Sequence, residues 1–188
     1  LAYDVPLEKT EEAVNALKVL GCKGFNVTMP CKTRVAELVD ELSYAAKLIG
    51  ACNTVVVKDG KLYGNNTDGM GFVRNLKENG VDVKGKKITV MGAGGAATAI
   101  QVQCALDGAK KISIFNRKDE FYANGEKTVK KIQQMVPDCE VSIHPLEETD
   151  ALYAAIKDSD ILVNATKVGM KPLDDQSLVE DVSVFHPD

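Results

Sequence analysis

Met91-Gly92-Ala93-Gly94-Gly95-Ala96-Ala97 closes one apolar run and opens another at helical spacing, and it fits the pattern Gly-x-Gly-x-x-Gly/Ala. Each residue type has a task there. Gly92 permits a tight turn, Gly94 lets bare backbone approach a pyrophosphate, and Ala97 is small enough for the helix to pack on the strand. The helix N-terminus then offers free N–H groups and a positive dipole end to phosphate. Dinucleotide binding is the chemistry this context favours; a ligand-free tight turn and an S-adenosylmethionine site are the alternatives. Roughly 20 residues on, an Asp or Glu would grip the ribose hydroxyls of NAD. Here the second strand ends Phe115-Asn116-Arg117-Lys118-Asp119. Arg117 and Lys118 suit a 2′-phosphate and so NADP, since guanidinium and ammonium donors match a dianion. Asp119 can still reach ribose hydroxyls, so coenzyme preference stays open, with a solvated charged turn as the plain alternative.

Taken singly, the polar residues of the first half say less. Lys32 follows Pro30 ahead of a helical pattern, where a lysine is ordinarily a surface residue. Asp68, in Asn65-Asn66-Thr67-Asp68-Gly69, stands where an N-cap is expected, and Asn53 beside Thr54 reads as a turn residue.

The elements that must carry these residues follow from periodicity. Leu7, Val14, Leu17 and Leu20 predict an amphipathic helix between Pro6 and Gly21. Gly24 to Thr28 predicts a short strand, followed by a loop carrying Lys32 and a helix from Arg34 to Val39. Cys52 to Val57 and Lys61 to Tyr63 predict strands joined at Asp59-Gly60, a strong hairpin signal. A helix from Asp68 to Lys77 ends near Gly80, and the polar stretch Asp82 to Lys86 predicts the domain boundary. Beyond it strands at 88–91, 111–115, 140–143 and 161–163 alternate with helices at 96–106, 126–136 and 151–157. That alternation predicts βαβ units and a parallel sheet.

Composition sets the outer limits. The chain has 188 residues, 45% hydrophobic and 27% charged, with 23 Lys and Arg against 27 Asp and Glu for a net charge of −4. This is globular composition, and it excludes a fibre or a disordered tail. Mild acidity without a basic cluster argues against nucleic acid or anionic lipid as the partner. The five Cys (22, 31, 52, 104 and 139) are odd in number and form no Cys-x-x-Cys pair, and His144 and His186 are far apart. Neither a disulfide framework nor a metal site is expected, and the cysteines read as small buried hydrophobes of a cytoplasmic protein. No membrane span and no export leader are expected.

Taken together, the motifs resemble the shikimate dehydrogenase family, and most closely its quinate/shikimate dehydrogenase branch. Asn26-Val27-Thr28-Met29-Pro30-Cys31-Lys32, Gly50-Ala51-Cys52-Asn53-Thr54 and Asn66-Thr67-Asp68-Gly69-Met70-Gly71 are similar to the substrate-domain signatures. Gly92 to Ala97, Asn116-Arg117 and Asn164-Ala165-Thr166-Lys167-Val168-Gly169-Met170 follow in the order of the cofactor domain. Six motifs in the right order are far more specific than any one of them.

The resemblance implies a two-domain α/β fold: an N-terminal α/β substrate domain, incomplete here, over residues 1–84, and a Rossmann-like doubly wound parallel-sheet dinucleotide-binding domain over 85–188. It implies reversible oxidation of shikimate to 3-dehydroshikimate, and of quinate to 3-dehydroquinate, with NAD or NADP, in chorismate and aromatic amino acid biosynthesis. Lys32 corresponds to the catalytic lysine and Asp68 to its partner, and both also contact substrate; Thr28 and Asn53 correspond to groups that bond the substrate hydroxyls. Ala93, Gly94, Gly95 and Ala96 become the pyrophosphate turn, Asn116, Arg117, Lys118 and Asp119 the adenosine-ribose side, Lys167 a further contact and Met170 a neighbour of the nicotinamide. Met170 has core packing as its plain alternative. Lys167 stands where many shikimate dehydrogenases carry a small hydroxyl residue, one reason to favour the quinate/shikimate branch. The partners implied are small molecules; oligomeric state stays open, a homodimer included. The chain starts at Leu1 and stops at Phe185-His186-Pro187-Asp188, without the Ser-x-Ser turn and the closing Gln segment of the family, so a longer enzyme is expected. A non-catalytic dinucleotide-binding relative is the alternative function.

Overall fold

The computed structural model describes residues 1–185; His186, Pro187 and Asp188 lie outside it, and with them the expected break ahead of a further strand. The chain forms two compact units that divide between Gly71 and Phe72. That division falls ahead of the polar stretch at 82–86, because Val73, Lys77, Val81 and Val83 line one pocket with Lys84 and Asp107, and the Gly85 N–H donates to Gly108 O at 2.8 Å.

In the first unit a 3-10 turn (Leu7–Lys9) leads into α1 (Thr10–Val19), and Gly21, at φ +72°, ends it. Then come β1 (Gly24–Asn26), α2 (Lys32–Leu38), β2 (Glu41–Leu42), α3 (Tyr44–Ile49), β3 (Thr54–Lys58) and β4 (Lys61–Asn65). The sheet order is β1-β3-β4-β2, antiparallel at β1/β3 and β3/β4 and parallel at β2/β4. Asp59 and Gly60 turn the β3–β4 hairpin with φ of +51° and +75°, the left-handed pair such a two-residue loop needs. Val14, Cys31, Val35, Cys52, Val55 and Leu62 form the core.

Two elements go beyond the sequence reading. β2 has two residues and α3 six, too short for periodicity to register, although Ser43 caps α3 by accepting from the Ala46 N–H and Gly50 ends it at φ +75°. β1 also stops at Asn26 rather than Thr28, and α2 starts at Lys32 rather than Arg34. Lys32 therefore sits on the first turn of a helix and not in a loop.

α4 (Asp68–Glu78) contains the division between the units. The second unit holds β5 (Lys87–Met91), α5 (Gly95–Leu106), β6 (Lys111–Asn116), α6 (Tyr122–Met135), β7 (Glu140–Pro145), α7 (Thr149–Asp158) and β8 (Ile161–Asn164), then a 3-10 turn at Val182–Val184. Its sheet is parallel throughout in the order β7-β6-β5-β8. The chain steps outward from β5 to β7, then returns past β5 to lay down β8. The switch point of a doubly wound sheet thus lies at the carboxyl ends of β5 and β8, where ligands of such sheets bind. Ile88, Val90, Ile112, Ile114 and Phe115 are buried, as strands covered on both faces must be.

At the opposite, amino end the sheet is tied by charge. Lys87 and Lys111 pair with Asp158, and Lys86 pairs with Asp160 at 3.0 Å. The Lys87 N–H also donates to Asp160 Oδ2 at 2.8 Å, so the start of β5 is fastened to the connection between α7 and β8.

Candidate active site

Lys32 is placed by backbone before its side chain does anything. Its carbonyl accepts the Cys52 N–H at 3.0 Å, which brings the next residue, Asn53, to the head of α2. Asn53 is itself fixed between strands, its N–H donating to Asn65 O at 3.0 Å and its carbonyl accepting from Val27 N at 2.8 Å. Asp68 opens α4, with its own N–H donating to Asn66 Oδ1 at 3.1 Å.

The side chains then meet. Lys32 Nζ donates to Asp68 Oδ2 at 2.8 Å, and Asn53 Nδ2 donates to Asp68 Oδ1 at 2.8 Å. Asn53 Oδ1 accepts from Thr67 N at 3.0 Å, Thr67 Oγ1 at 3.2 Å and Thr54 Oγ1 at 2.9 Å. Both carboxylate oxygens of Asp68 are thus held while the lysine spends one of its three donors on the pair. The Lys32 and Asp68 side chains keep 23% and 37% of their surface exposed, so the pair is shielded yet reachable by a small molecule. As an ammonium such a lysine can hand a proton to a bound ketone oxygen, and once deprotonated it can take one from a bound hydroxyl.

Among the predicted substrate groups, Lys32, Asn53 and Asp68 form one hydrogen-bonded cluster. Thr28 is exposed and adds to the described bonds through its carbonyl, which accepts the Cys31 N–H at 3.0 Å. Thr67, which orients Asn53, went unnoticed in the sequence; its place beside Asp68 in the motif was the available signal.

In the second unit the glycine turn joins β5 to α5. Gly92 has φ +120°, and a Cβ on it would lie 2.9 Å from Ala165 O, so glycine is required by both backbone and space. A Cβ on Gly94 or Gly95 would instead enter open space. Gly94 is the N-cap of α5 and supplies no side-chain cap, which leaves the first N–H groups of the helix for a ligand. Bare backbone, open room and uncapped donors fit the diphosphate of NAD or NADP. Ala93 is fully buried and contributes through its backbone, while Ala96 is exposed.

At the end of β6, Asn116 Nδ2 donates to Arg117 O at 2.7 Å and to Asp119 Oδ1 at 2.9 Å, and the Phe121 N–H donates to the same oxygen at 2.9 Å. One oxygen of Asp119 is committed to shaping the loop. Arg117 and Lys118 are exposed, and neither has a carboxylate in ion-pair range among the described residues. Past β8, Lys167 is exposed and its carbonyl accepts the Met170 N–H at 3.0 Å. Met170 is 64% exposed.

Comparison with known proteins converges on these motifs. Residues 1–55 match the shikimate dehydrogenase substrate binding domain, and residues 75–184 match shikimate / quinate 5-dehydrogenase. The chain belongs to the shikimate dehydrogenase family. It is 48% identical over 188 residues to the shikimate dehydrogenase (NADP(+)) of Listeria monocytogenes serotype 4b (strain F2365), covering all of this chain and 64% of the relative. It is 46% identical over 187 residues to the quinate/shikimate dehydrogenase of Escherichia coli (strain SMS-3-5 / SECEC), covering 100% of this chain and 65% of the relative. Among solved structures, the shikimate 5-dehydrogenase of Listeria monocytogenes in complex with shikimate and NAD superposes with a TM-score of 0.97 at 49% identity, over 100% of this chain and 64% of that one. The chain thus spans 64% of the length of its Listeria relatives. Among the described residues no helix is long and apolar enough to cross a membrane, and no group of three or more His, Cys, Asp or Glu is placed to hold a metal ion.

Proposed function

We propose that the protein is an NAD(P)-dependent oxidoreductase that interconverts shikimate and 3-dehydroshikimate, and quinate and 3-dehydroquinate, in the cytoplasm. The observation that carries the reading is the Lys32–Asp68 ion pair at 2.8 Å with Asn53 bound to the same carboxylate. Oxidising a secondary alcohol removes a proton from oxygen and a hydride from carbon. The coenzyme, when bound at the glycine turn, supplies the hydride acceptor. Everything else falls to the protein. Lys32 is the group that meets the substrate oxygen: as an ammonium it gives a proton to the ketone oxygen in reduction, and in oxidation, once it has passed a proton to Asp68 or solvent, it takes the hydroxyl proton as the hydride leaves. Asp68 holds the ammonium head in place and offers the next oxygen for proton exchange, and Asn53, tied by Thr54 and Thr67, keeps that carboxylate from turning away. Thr28 and Asn53 are assigned to the substrate hydroxyls.

On the coenzyme side, backbone N–H groups of Ala93, Gly94, Gly95 and Ala96 are assigned to the diphosphate and Asn116 to Asp119 to the adenosine ribose. Arg117 and Lys118, without carboxylate partners among the described residues, favour a 2′-phosphate; the second oxygen of Asp119 serves a free ribose hydroxyl. Use of either coenzyme, and a place in the quinate/shikimate branch, follow from that double provision, with Lys167 assigned as a further coenzyme contact and Met170 to the nicotinamide side. The test is the rate of coenzyme reduction by the full-length protein, with shikimate and quinate each crossed with NAD and NADP. Turnover with both acids and either coenzyme supports the reading. Turnover with shikimate and NADP alone would retain the reaction and overturn the branch, and none in any combination would favour a non-catalytic dinucleotide-binding protein.

A further inference from the structure

Two side-chain amides, from different helices, hold consecutive carbonyls of the glycine turn. Gln101, on α5, donates from Nε2 to Gly92 O at 2.9 Å, and Asn124, on the first turn of α6, donates from Nδ2 to Ala93 O at 2.7 Å. We propose that Gln101 and Asn124 are positioning residues for the coenzyme diphosphate, drawing these two carbonyls into the protein so that the N–H groups of the same peptide planes face outward. The inference rests on the reading of the turn as the coenzyme site.

The geometry of the peptide unit makes the link. In a trans peptide the C=O and N–H point in opposite directions, so fixing Gly92 O fixes the Ala93 N–H and fixing Ala93 O fixes the Gly94 N–H. Glycine on either side of Ala93 makes both planes cheap to rotate. A rotated plane would present a carbonyl oxygen, with its partial negative charge, to an anion that needs donors. Backbone bonds hold the ends of the turn, the Gly92 N–H donating to Phe115 O at 2.8 Å and Gly94 O accepting the Thr98 N–H at 2.9 Å, and the two side-chain amides hold the planes between them.

Packing alone does not explain the amides. Gln101 is fully buried, and its Oε1 has no hydrogen-bond partner among the described residues. A buried, half-satisfied amide costs free energy that a leucine of similar reach would avoid, so the bond to Gly92 is what the glutamine contributes. Asn124 reaches the turn because its neighbour is Gly125, where a Cβ would overlap Ile143 Cδ1 and lie 3.1 Å from Ala93 Cβ. The same Asn124 amide donates to Thr98 Oγ1 at 3.1 Å, joining the first turns of α5 and α6. Since α6 follows directly on the loop that carries Arg117 and Asp119, Asn124 also keys the diphosphate turn to the ribose loop.

The experiment measures NAD and NADP dissociation constants by calorimetry on the full-length protein and on Gln101→Leu and Asn124→Leu, with Gln101→Met and Asn124→Ser as second variants should either leucine form fold poorly. Hydrogen exchange of the Ala93 and Gly94 amides is followed in the coenzyme-free proteins. Each variant is expected to weaken both coenzymes by the same factor, about tenfold, and to speed exchange at the turn. The loss appears in the coenzyme KM and not in kcat or in the KM for the acid substrate. Folded variants that bind both coenzymes like the parent, or whose loss falls on kcat, would overturn the proposal. A parent protein that binds neither coenzyme would overturn the reading of the site itself, and a parent that binds while the variants bind equally well overturns the clamp alone.

Discussion

Lys32 Nζ lies 2.8 Å from Asp68 Oδ2, although 36 residues separate the two along the chain. Each opens a helix, α2 and α4, and each is steadied through its own backbone: the Lys32 carbonyl accepts the Cys52 N–H, and the Asp68 N–H donates to the side-chain oxygen of Asn66. A charge pair with one partly exposed face and a fixed rear is suited to exchanging a proton with a bound hydroxyl, because reorganisation has already been limited by the fold.

Removing the carboxylate while keeping its shape separates positioning from packing. Asp68→Asn is expected to lower kcat by about a hundredfold or more, the scale of positioned acid–base catalysis, with little change in coenzyme affinity. Steady-state kinetics with saturating coenzyme checks it; a kcat near that of the parent would detach Asp68 from the reaction.

Coenzyme choice is expected to divide between Arg117 and Asp119. Arg117→Glu removes a charged donor worth about 1.5–3 kcal/mol, so NADP should bind at least tenfold more weakly while NAD changes little. Asp119→Ala should weaken NAD more than NADP. It should also lower the melting temperature, since Asp119 Oδ1 receives both Asn116 Nδ2 and the Phe121 N–H, and loss of a comparable helix-start acceptor costs about 0.5–2 kcal/mol. Binding isotherms for both coenzymes on both variants decide the matter, and an equal response of the two coenzymes to Asp119→Ala would refute the ribose assignment.

Gly92→Ala tests the turn through its backbone. The methyl group meets Ala165 O, which is itself backbone, at 2.9 Å, and φ at +120° adds strain of about 1–3 kcal/mol. The variant should melt earlier and lose coenzyme affinity, whereas Gly95→Ala, whose methyl enters open space, should fold normally and lose affinity alone. Normal coenzyme binding by both would be incompatible with a diphosphate on this turn.

Acid should loosen the amino end of the parallel sheet. Asp158 is held below the usual carboxylate range, first by its hydrogen bond from Lys87 and then by the Lys87 and Lys111 charges; Asp160 is lowered, first by the Lys87 backbone N–H and then by Lys86. A carboxyl group depressed in the folded state binds fewer protons there than in the unfolded chain. Its stabilisation is therefore complete above the unfolded value, about 3.9, and is lost as pH falls through the lower folded value. Melting temperature followed from neutral pH downward should decline more steeply below about pH 4 in the parent than in an Asp158→Asn, Asp160→Asn double variant. Parallel curves would show that these pairs do not contribute.

Much of this fold was legible because its signals are long. The parallel strands and their helices run for four to fourteen residues with strong apolar patterning, and the hairpin announced itself at Asp59-Gly60. β2 and α3 escaped because two and six residues carry no readable period. Lys32 was expected in a loop because its neighbour Pro30 punctuates the chain, whereas α2 begins only two residues later. The individual residues of the site were less legible than the motifs around them. Lys32 and Asp68 are ordinary until the bond from Cys52 N–H to the Lys32 carbonyl brings Asn53, and with it Asp68, to the head of α2; Gln101 lies in helical text where an amide reads as surface, and Asn124 lies ahead of the helix expected from 126, which begins instead at Tyr122. The buried cysteines read correctly as hydrophobes: burial pushes the Cys104 thiol up to about 12 and that of Cys139 up to about 11, so neither offers a thiolate near neutral pH.

The most direct measurement is kcat for shikimate oxidation by the full-length Lys32→Ala protein, taken together with its NADP dissociation constant. The account predicts a kcat reduced by about 10²–10⁴ and an unaltered dissociation constant. A variant that turns over at the parental rate would remove Lys32 from the chemistry and, with it, the centre of the proposed mechanism.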